Sequence, residues 1–559
     1  MKARLILAIF VGILFTQSLN AQEAASPVPS FRSQTNLVLI PVQVRSHSQH
    51  VPNLKQGSFT MLQDGKPQKI SVFEEVRTTT QRLQRAPVGP KEFTNEFLGS
   101  AQSARYTVIA LDLVNTAPLD LNRVHDGLTK FLAHTVDTGE PIRLISIGNN
   151  GLVMLQDFTT DPKAIGAALN RGTSSAAKAE QSSVGLDEHT QEAAVAFNSS
   201  KDAAEAARLK MVLDALDHAK ENENRAQTFQ ERSARISSLE ALQQIAQSLA
   251  GIPGRKSLVW ASSGFPFSSS VKQIRGSVNI DYSATSEAMA LDDYTTHLLS
   301  SANIAMYPVD ARGLTNTAWD SVDPSHKYSP TMGEKLGRDL ANQDVLTTFD
   351  HLADGTGGRP CYNRAQLDDC FKEALDDSRD YYMVGFYVDK NTKPGWHKLQ
   401  IKVDEKGSNV RSSNGFLFPL PDPEKTHTQD MNTAVRSILQ DSGIPFKGEW
   451  TTTQKKGDKI ANGFVIQVAP EANVVDPGQR KLNLEFVGVA RAKDGTVAGQ
   501  FSQKVQRDLP PEAVAMIQQA GVTYKNTLDL PPGEYLVRMV VRDNNTGRTG
   551  AVNTLLTVQ

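Results

Sequence analysis

The chain has 559 residues, 39% hydrophobic and 21% charged, an ordinary globular composition spread over more residues than one hydrophobic core can organise. At roughly 100–200 residues per domain, three or four domains are expected. A formal net charge of −2 supplies no field toward nucleic acid or an anionic membrane, so neither is expected as a partner.

Lys2 and Arg4 begin the chain with positive charge, Leu5 to Phe15 form an apolar run, and Ser18-Leu19-Asn20-Ala21 ends on a small residue. This layout predicts a secretory signal peptide over 1–21, cleaved after Ala21. The run is shorter than the about 20 residues of a comfortable span, and an uncleaved anchor is the alternative. No Cys follows it to carry lipid, and no later segment is apolar over a bilayer's width. The mature chain is expected outside the cytoplasm, periplasmic or secreted, with no integral span once the signal is removed.

Residues 34–76 predict a small β unit: alternation over Thr35–Val44, then Ser58–Leu62 and Lys69–Phe73 on either side of an Asp64-Gly65 turn. Periodicity is lost over 77–104, which reads as a linker. From 105 onward apolar strands (Tyr106–Leu111, Arg143–Ile147, Leu152–Leu155, Lys256–Ala261, Ala302–Val309) alternate with helical patterns (Asn122–Ala133, from Pro162, Ser238–Leu249, Ala288–Leu299). That alternation predicts an α/β class with a doubly wound, mostly parallel sheet over 105–418, closed by the strands Asp380–Tyr387 and His397–Val403. A helical insertion is expected at 174–234, with Leu209, Val212, Leu213 and Leu216 on one stripe and a mobile stretch around Ser174–Ser183. A linker follows at 419–430, and short strands between Gly, Asp and Pro turns predict a β-sandwich over 431–559.

Two cysteines, Cys361 and Cys370, lie close together. In an oxidising compartment they favour a disulfide over a metal site, which needs more ligands; two unpaired thiols are the alternative.

In open parallel sheets ligands meet the carboxyl ends of the strands. Here that directs attention to Asp112, Ser146–Asn150, Ser262-Ser263-Gly264 and Asp310. Leu111-Asp112-Leu113-Val114-Asn115-Thr116 resembles the Asp-x-Ser-x-Ser metal motif of von Willebrand factor A domains. Ser257–Phe265 resembles that family's later strand, with Ser263-Gly264 where the family carries Asp-Gly. Ser58–Ile70, Gly251–Trp260, Tyr307–Gly313 and Thr356-Gly357-Gly358, in this order, resemble the exported von Willebrand factor A-related proteins of Acidobacteria-type bacteria, over about residues 35–418.

The resemblance implies a Rossmann-type fold and a Mg²⁺ site on oxygen ligands. The residues that would fill it are Asp112, Thr116, Ser238 (or its neighbour Ser237) and Ser263. Val114 replaces one hydroxyl and Ser263 a carboxylate, so the resemblance implies a degenerate, weak site for Mg²⁺ or another divalent cation, completed by an acidic group of a partner. The plain alternative is that Asp112 ends its strand and accepts hydrogen bonds from loop amides. Asp310 with Arg312 reads as an ion-paired brace, and Gly355–Gly358 as a tight turn. No His-x-x-x-His pair and no nucleophile elbow is present, so no catalytic residue is assigned. The expected role is an exported protein-binding, adhesion-type module with a protein ligand. A structural envelope component assembled through the insertion, or an extracytoplasmic hydrolase, are the alternatives.

Overall fold

The computed structural model describes residues 37–559 except 48, 78–83, 86–87, 99–105, 135–139, 149–150, 177–202, 253, 265–269, 275–276, 282–284, 315–331, 378, 390, 394, 419–422 and 477–479. The expected signal peptide, Asn149-Asn150 and most of the stretch expected to be mobile lie outside the described residues.

One five-stranded sheet runs in the order Gly151–Thr159, Ile142–Gly148, Tyr106–Asp112, Lys256–Ser262, Ile304–Asp310. The last four strands are parallel, with Thr107 beside Ile142 and Lys256 beside both Tyr106 and Ile304; the first is an antiparallel edge. Every residue of Tyr106–Asp112 is buried because helices cover both faces. Ile109, Leu111, Val259 and Ala261 point to a core made with α1 (Pro118–His134), α2 (Pro162–Ala176) and α6 (Asp368–Asp377). Their strand neighbours Val108, Ala110, Leu258 and Trp260 point the other way, as the two-residue period of a strand requires. They meet α3 (Ala203–Leu249), α4 (Thr285–Ser301) and α5 (Met332–Thr356).

This sheet is one of seven, and apart from one isolated bridge its contacts are the only parallel strand pairs among the described residues. The chain is therefore a mixed protein built mainly from small antiparallel sheets, which corrects the expected α/β class with a doubly wound, mostly parallel sheet. The reason is physical. Alternation identifies a strand and its buried face, but not its partner, and the strands on either side of 106–310 do not extend this sheet.

They pair with each other instead. Leu37–Ser46 runs antiparallel to Asp380–Tyr387, with Val42 opposite Tyr382, and Asp380–Tyr387 also pairs with Val72–Arg77. Phe59–Gln63 pairs with Gly395–Val403, which pairs with Gly415–Phe418. Ile40, Val42, Val44, Met61, Tyr382, Val384, Phe386 and Leu399 fill the space between these sheets. The independent β unit expected at 34–76 is thus half a unit, and residues 380–418 complete it rather than closing the domain before it.

The segment 77–104 is more than a linker. Glu92–Thr94 forms a strand on Phe446–Lys456, and Phe93 is buried there. Asn95 donates to the carbonyls of Asp441 (2.6 Å) and Ile444 (2.8 Å) and accepts from the Phe446 amide (2.8 Å). Within the expected linker 419–430, α7 (Pro423–Arg436) begins, and its Asp430 meets the buried Arg542 at 2.7 Å. Beyond it, two antiparallel sheets enclose Phe446, Trp450, Phe464, Leu484, Phe486, Val537 and Met539.

In α3 the residues from Ser238 to Leu249 pack into the core, whereas Met211 (74%) and Phe229 (72%) stand exposed further up the helix. No helix among the described residues is long and apolar enough to cross a membrane.

Candidate functional site

Asp112 is the last residue of its strand, and Val114–Thr116 turn away from it before α1 begins at Pro118. Its side chain is sealed inside the fold. Oδ1 accepts from the backbone amides of Val114 (3.2 Å) and Asn115 (3.1 Å), while Oδ2 accepts from the hydroxyls of Ser262 (2.9 Å) and Ser238 (3.1 Å). The Asn115 side-chain amide donates to both oxygens, at 3.2 and 3.0 Å, and to Ser238 Oγ at 2.8 Å. Burial pushes the Asp112 carboxyl up from its ordinary value, and the hydrogen bonds from Asn115, Ser262 and Ser238 oppose that rise. The amide partners can only donate, so Oδ1 is an acceptor, whereas the two serine hydroxyls on Oδ2 can each donate or accept.

Of the three residues expected around a cation with Asp112, only Ser238 touches it. The Thr116 hydroxyl accepts from the Ser263 amide at 3.2 Å, and Ser263 Oγ donates to Asp120 at 2.9 Å. Ser262, one residue before the expected Ser263, is the group that reaches the carboxylate. A divalent cation needs free oxygen lone pairs in an open shell. Here both carboxylate oxygens are taken by N–H and O–H donors, and an amide nitrogen lies among them. The residues present do not fit the implied ion in this arrangement, and among the described residues no cluster of three His, Cys, Asp or Glu side chains could hold a metal.

Two strands away, Asp310 accepts from Arg312 through Nε (2.9 Å), Nη2 (2.8 Å) and the backbone amide (3.0 Å), and Arg312 also donates to Asn342 at 2.8 Å. This bidentate pair fixes the turn that leaves the strand. Asp310 is fully buried, so the pair acts as a brace. Cys361 and Cys370 form a disulfide with a Cα–Cα distance of 5.8 Å. The Cys361 amide donates to the Pro308 carbonyl and its carbonyl accepts from the Asp310 amide, which pins the loop before α6 to the same sheet edge. Gly355–Gly358 ends α5 and turns through Gly357 at a φ of 73°. Gly358 lies so close to the strand that a Cβ there would meet the Met306 carbonyl at 1.8 Å.

Above the sealed Asp112 lies a surface rim that spacing alone could not assemble. Leu119 and Arg123, one helical turn apart on α1, share a face. The loop after Ile304–Asp310 abuts Arg123, since a Cβ on Gly313 would lie 3.6 Å from Arg123 Cδ. Leu119 is 75% exposed and Leu314 60%. Arg123 pairs with Asp120, which also holds Ser263. A separate cavity of about 290 Å³ at the other end of α1 is lined by Phe131, His134, Asp368, Lys372, Asp376 and Arg379. Among the described residues that line it, none carries a hydroxyl or a thiol.

No protein family matches the chain, and no curated protein does. Among solved structures, it is similar to the β-glucuronidase of Bacteroides uniformis at 12% identity and a TM-score of 0.14, over 34% of this chain. That match spans 20% of the enzyme's own length, and a likeness so slight carries no argument about fold or activity.

Proposed function

We propose that this is an exported protein-binding module, not an enzyme, and that it meets a protein partner with the rim formed by Leu119, Asp120, Arg123, Gly313 and Leu314. The observation that carries the reading is the exposure of Leu119 and Leu314 beside the Arg123–Asp120 pair. Large exposed leucines next to an arginine have the composition of an interface core with a polar rim. Beneath them, Asp112 holds the amides of Val114 and Asn115, and Asp310 holds Arg312, at the base of each loop. A preformed surface loses less entropy on binding. The test is photo-crosslinking from position 119 or 314 in cells, with position 555 in the C-terminal sheet, also exposed, as control. The reading expects one discrete adduct from 119 and 314, absent at 555 and removed by Leu119→Asp. Equal labelling at all three positions, or turnover of a hydrolase substrate by the purified chain, would count against it.

The exposed part of α3 favours a second reading, assembly of copies through the insertion. Sedimentation of the purified chain separates the two, since only assembly gives a concentration-dependent mass without a partner.

A further inference from the structure

We infer that the Asn115 side-chain amide is a built-in substitute for a cation, so that the loop after Asp112 is locked in one conformation without metal. The argument is geometric and does not rest on the partner reading above. Asn115 Nδ2 lies 3.0 and 3.2 Å from the two Asp112 oxygens and 2.8 Å from Ser238 Oγ. It thus sits among three oxygens contributed by two different elements, the strand ending at Asp112 and α3. A bound ion would bridge the same groups.

An amide carries two N–H donors and only partial positive charge; one can meet Ser238 Oγ and the other be shared between the two Asp112 oxygens at hydrogen-bond distance. A magnesium ion would require them at about 2.0–2.1 Å, with its remaining octahedral positions filled by water or further oxygens. The neighbours have adapted to the amide. Ser262 and Ser238 direct their hydroxyl protons at Asp112, and Ser262 Oγ accepts in turn from the Gly264 amide at 2.9 Å. Asn115 holds its own position through its backbone amide, which donates to Asp112 Oδ1. Val114 at the adjoining position supplies no oxygen and packs against the core that contains Val108 and Trp260. The carboxylate that a cation would bridge to a partner is therefore already hydrogen-bonded on both oxygens from within. The rim loops keep their shape whether or not divalent cations are present.

Changing one atom type reverses this. Asn115→Asp keeps the side-chain shape but replaces the donor with a second carboxylate oxygen, giving two carboxylates and two hydroxyls, a donor set suited to a hard cation. The experiment is a melting curve and a Mn²⁺ titration followed by electron paramagnetic resonance, on the wild type, Asn115→Asp, Asn115→Ala and Asp112→Asn. The wild type is expected to melt identically in EDTA and in Mn²⁺ and to take up no more Mn²⁺ than Asp112→Asn. Asn115→Asp is expected to gain a saturable site and a melting temperature that climbs with Mn²⁺. Asn115→Ala is expected to melt below the wild type, which keeps the inference testable if Asn115→Asp does not fold. A saturable Mn²⁺ site in the wild type that Asp112→Asn removes would overturn it, as would an Asn115→Ala melt equal to that of the wild type. A folded Asn115→Asp that binds no Mn²⁺ would overturn it too.

Discussion

Asp292→Asn separates burial from charge at one position. Asp292 lies on α4, is 1% exposed, and neither of its oxygens has a hydrogen-bond partner. Burial pushes its carboxyl up to about 8 from 3.8; Arg235 on α3 opposes the shift and Asp293 adds to it. A raised carboxyl is neutral in the folded chain over a range where the unfolded chain is ionised. Its contribution to stability is therefore complete below about pH 4 and falls as pH rises, until it is gone above about pH 8. Each pH unit in that window removes about 1.4 kcal/mol, and a shift of about four units sets a ceiling of about 5–6 kcal/mol. The substituted amide cannot ionise, so the variant lacks this slope whatever constant offset its own burial introduces. Urea unfolding of both proteins at intervals from about pH 5 to about pH 9 reads the difference directly. The variant should gain on the wild type by about 1–1.4 kcal/mol per unit and stop gaining above about pH 8. A gap that stays constant across the series would refute the reasoning, because it would show that the carboxyl titrates alike in both states.

Three further outcomes follow from other parts of the molecule. Lys256 is fully buried, with Nζ donating to the Ile252 carbonyl, and burial lowers it to about 7. A depressed lysine gives up its proton on folding, so wild-type stability should rise with pH between about 7 and 10.5 while Lys256→Met, measured by urea unfolding, lacks that rise. Cys361→Ser opens a loop of about ten residues and should lower stability by about 2.5–3 kcal/mol in the chain-entropy model, with reductant doing the same to the wild type; an unchanged urea midpoint would contradict it. Asn95→Ala removes three buried hydrogen bonds to the 441–446 segment and leaves their backbone partners unpaired. It should cost about 2–4 kcal/mol in the same assay.

Local features were legible where a short pattern is enough to determine them. The run Tyr106–Leu111 is continuous and apolar because both of its faces are covered, and the residue that ends it is Asp112 as read from the sequence. The Asp64-Gly65 turn is visible because both residues adopt positive φ, 49° and 79°, which few residue pairs tolerate. Two close cysteines were a sound basis for a disulfide. The distant partners of Leu37–Ser46 and Phe59–Gln63 were not legible, since they lie more than 300 residues away and alternation carries no address. Glu92–Thr94 is only three residues long and stays below any periodic signal. At the site, the resemblance pointed to Asp112, Thr116, Ser238 or Ser237, and Ser263; the residues that reach the Asp112 carboxylate are Ser238, Ser262 and Asn115, and the last was given no role. Which of two adjacent serines turns inward depends on the strand's pleat at its last residue. The place of an amide side chain depends on groups brought in from α3, 123 residues on.

The chain path shows how the elements that carry this exposed rim are anchored. The chain leaves the small sandwich at Arg77 and returns at Asp380, and these two residues face each other across one pair of strands. Everything between them is thus a closed excursion whose ends are held together by a sheet. The excursion is fastened a second time where Glu92–Thr94 joins the C-terminal sheet, and a third time where Ser442 donates to the Ser248 carbonyl and accepts from the Gly251 amide. Gly251 is needed there, because a Cβ would meet the Ser442 carbonyl at 1.7 Å. Ser248 and Gly251 lie at the end of α3 and in the turn that follows it, before Lys256–Ser262, whereas Ser238 lies about three turns back along α3 and Ser262 at the far end of the strand. The C-terminal unit therefore grips the sheet at the edge away from the rim. Leu119, Arg123 and Leu314 are left clear, and the elements that carry them stay anchored from behind.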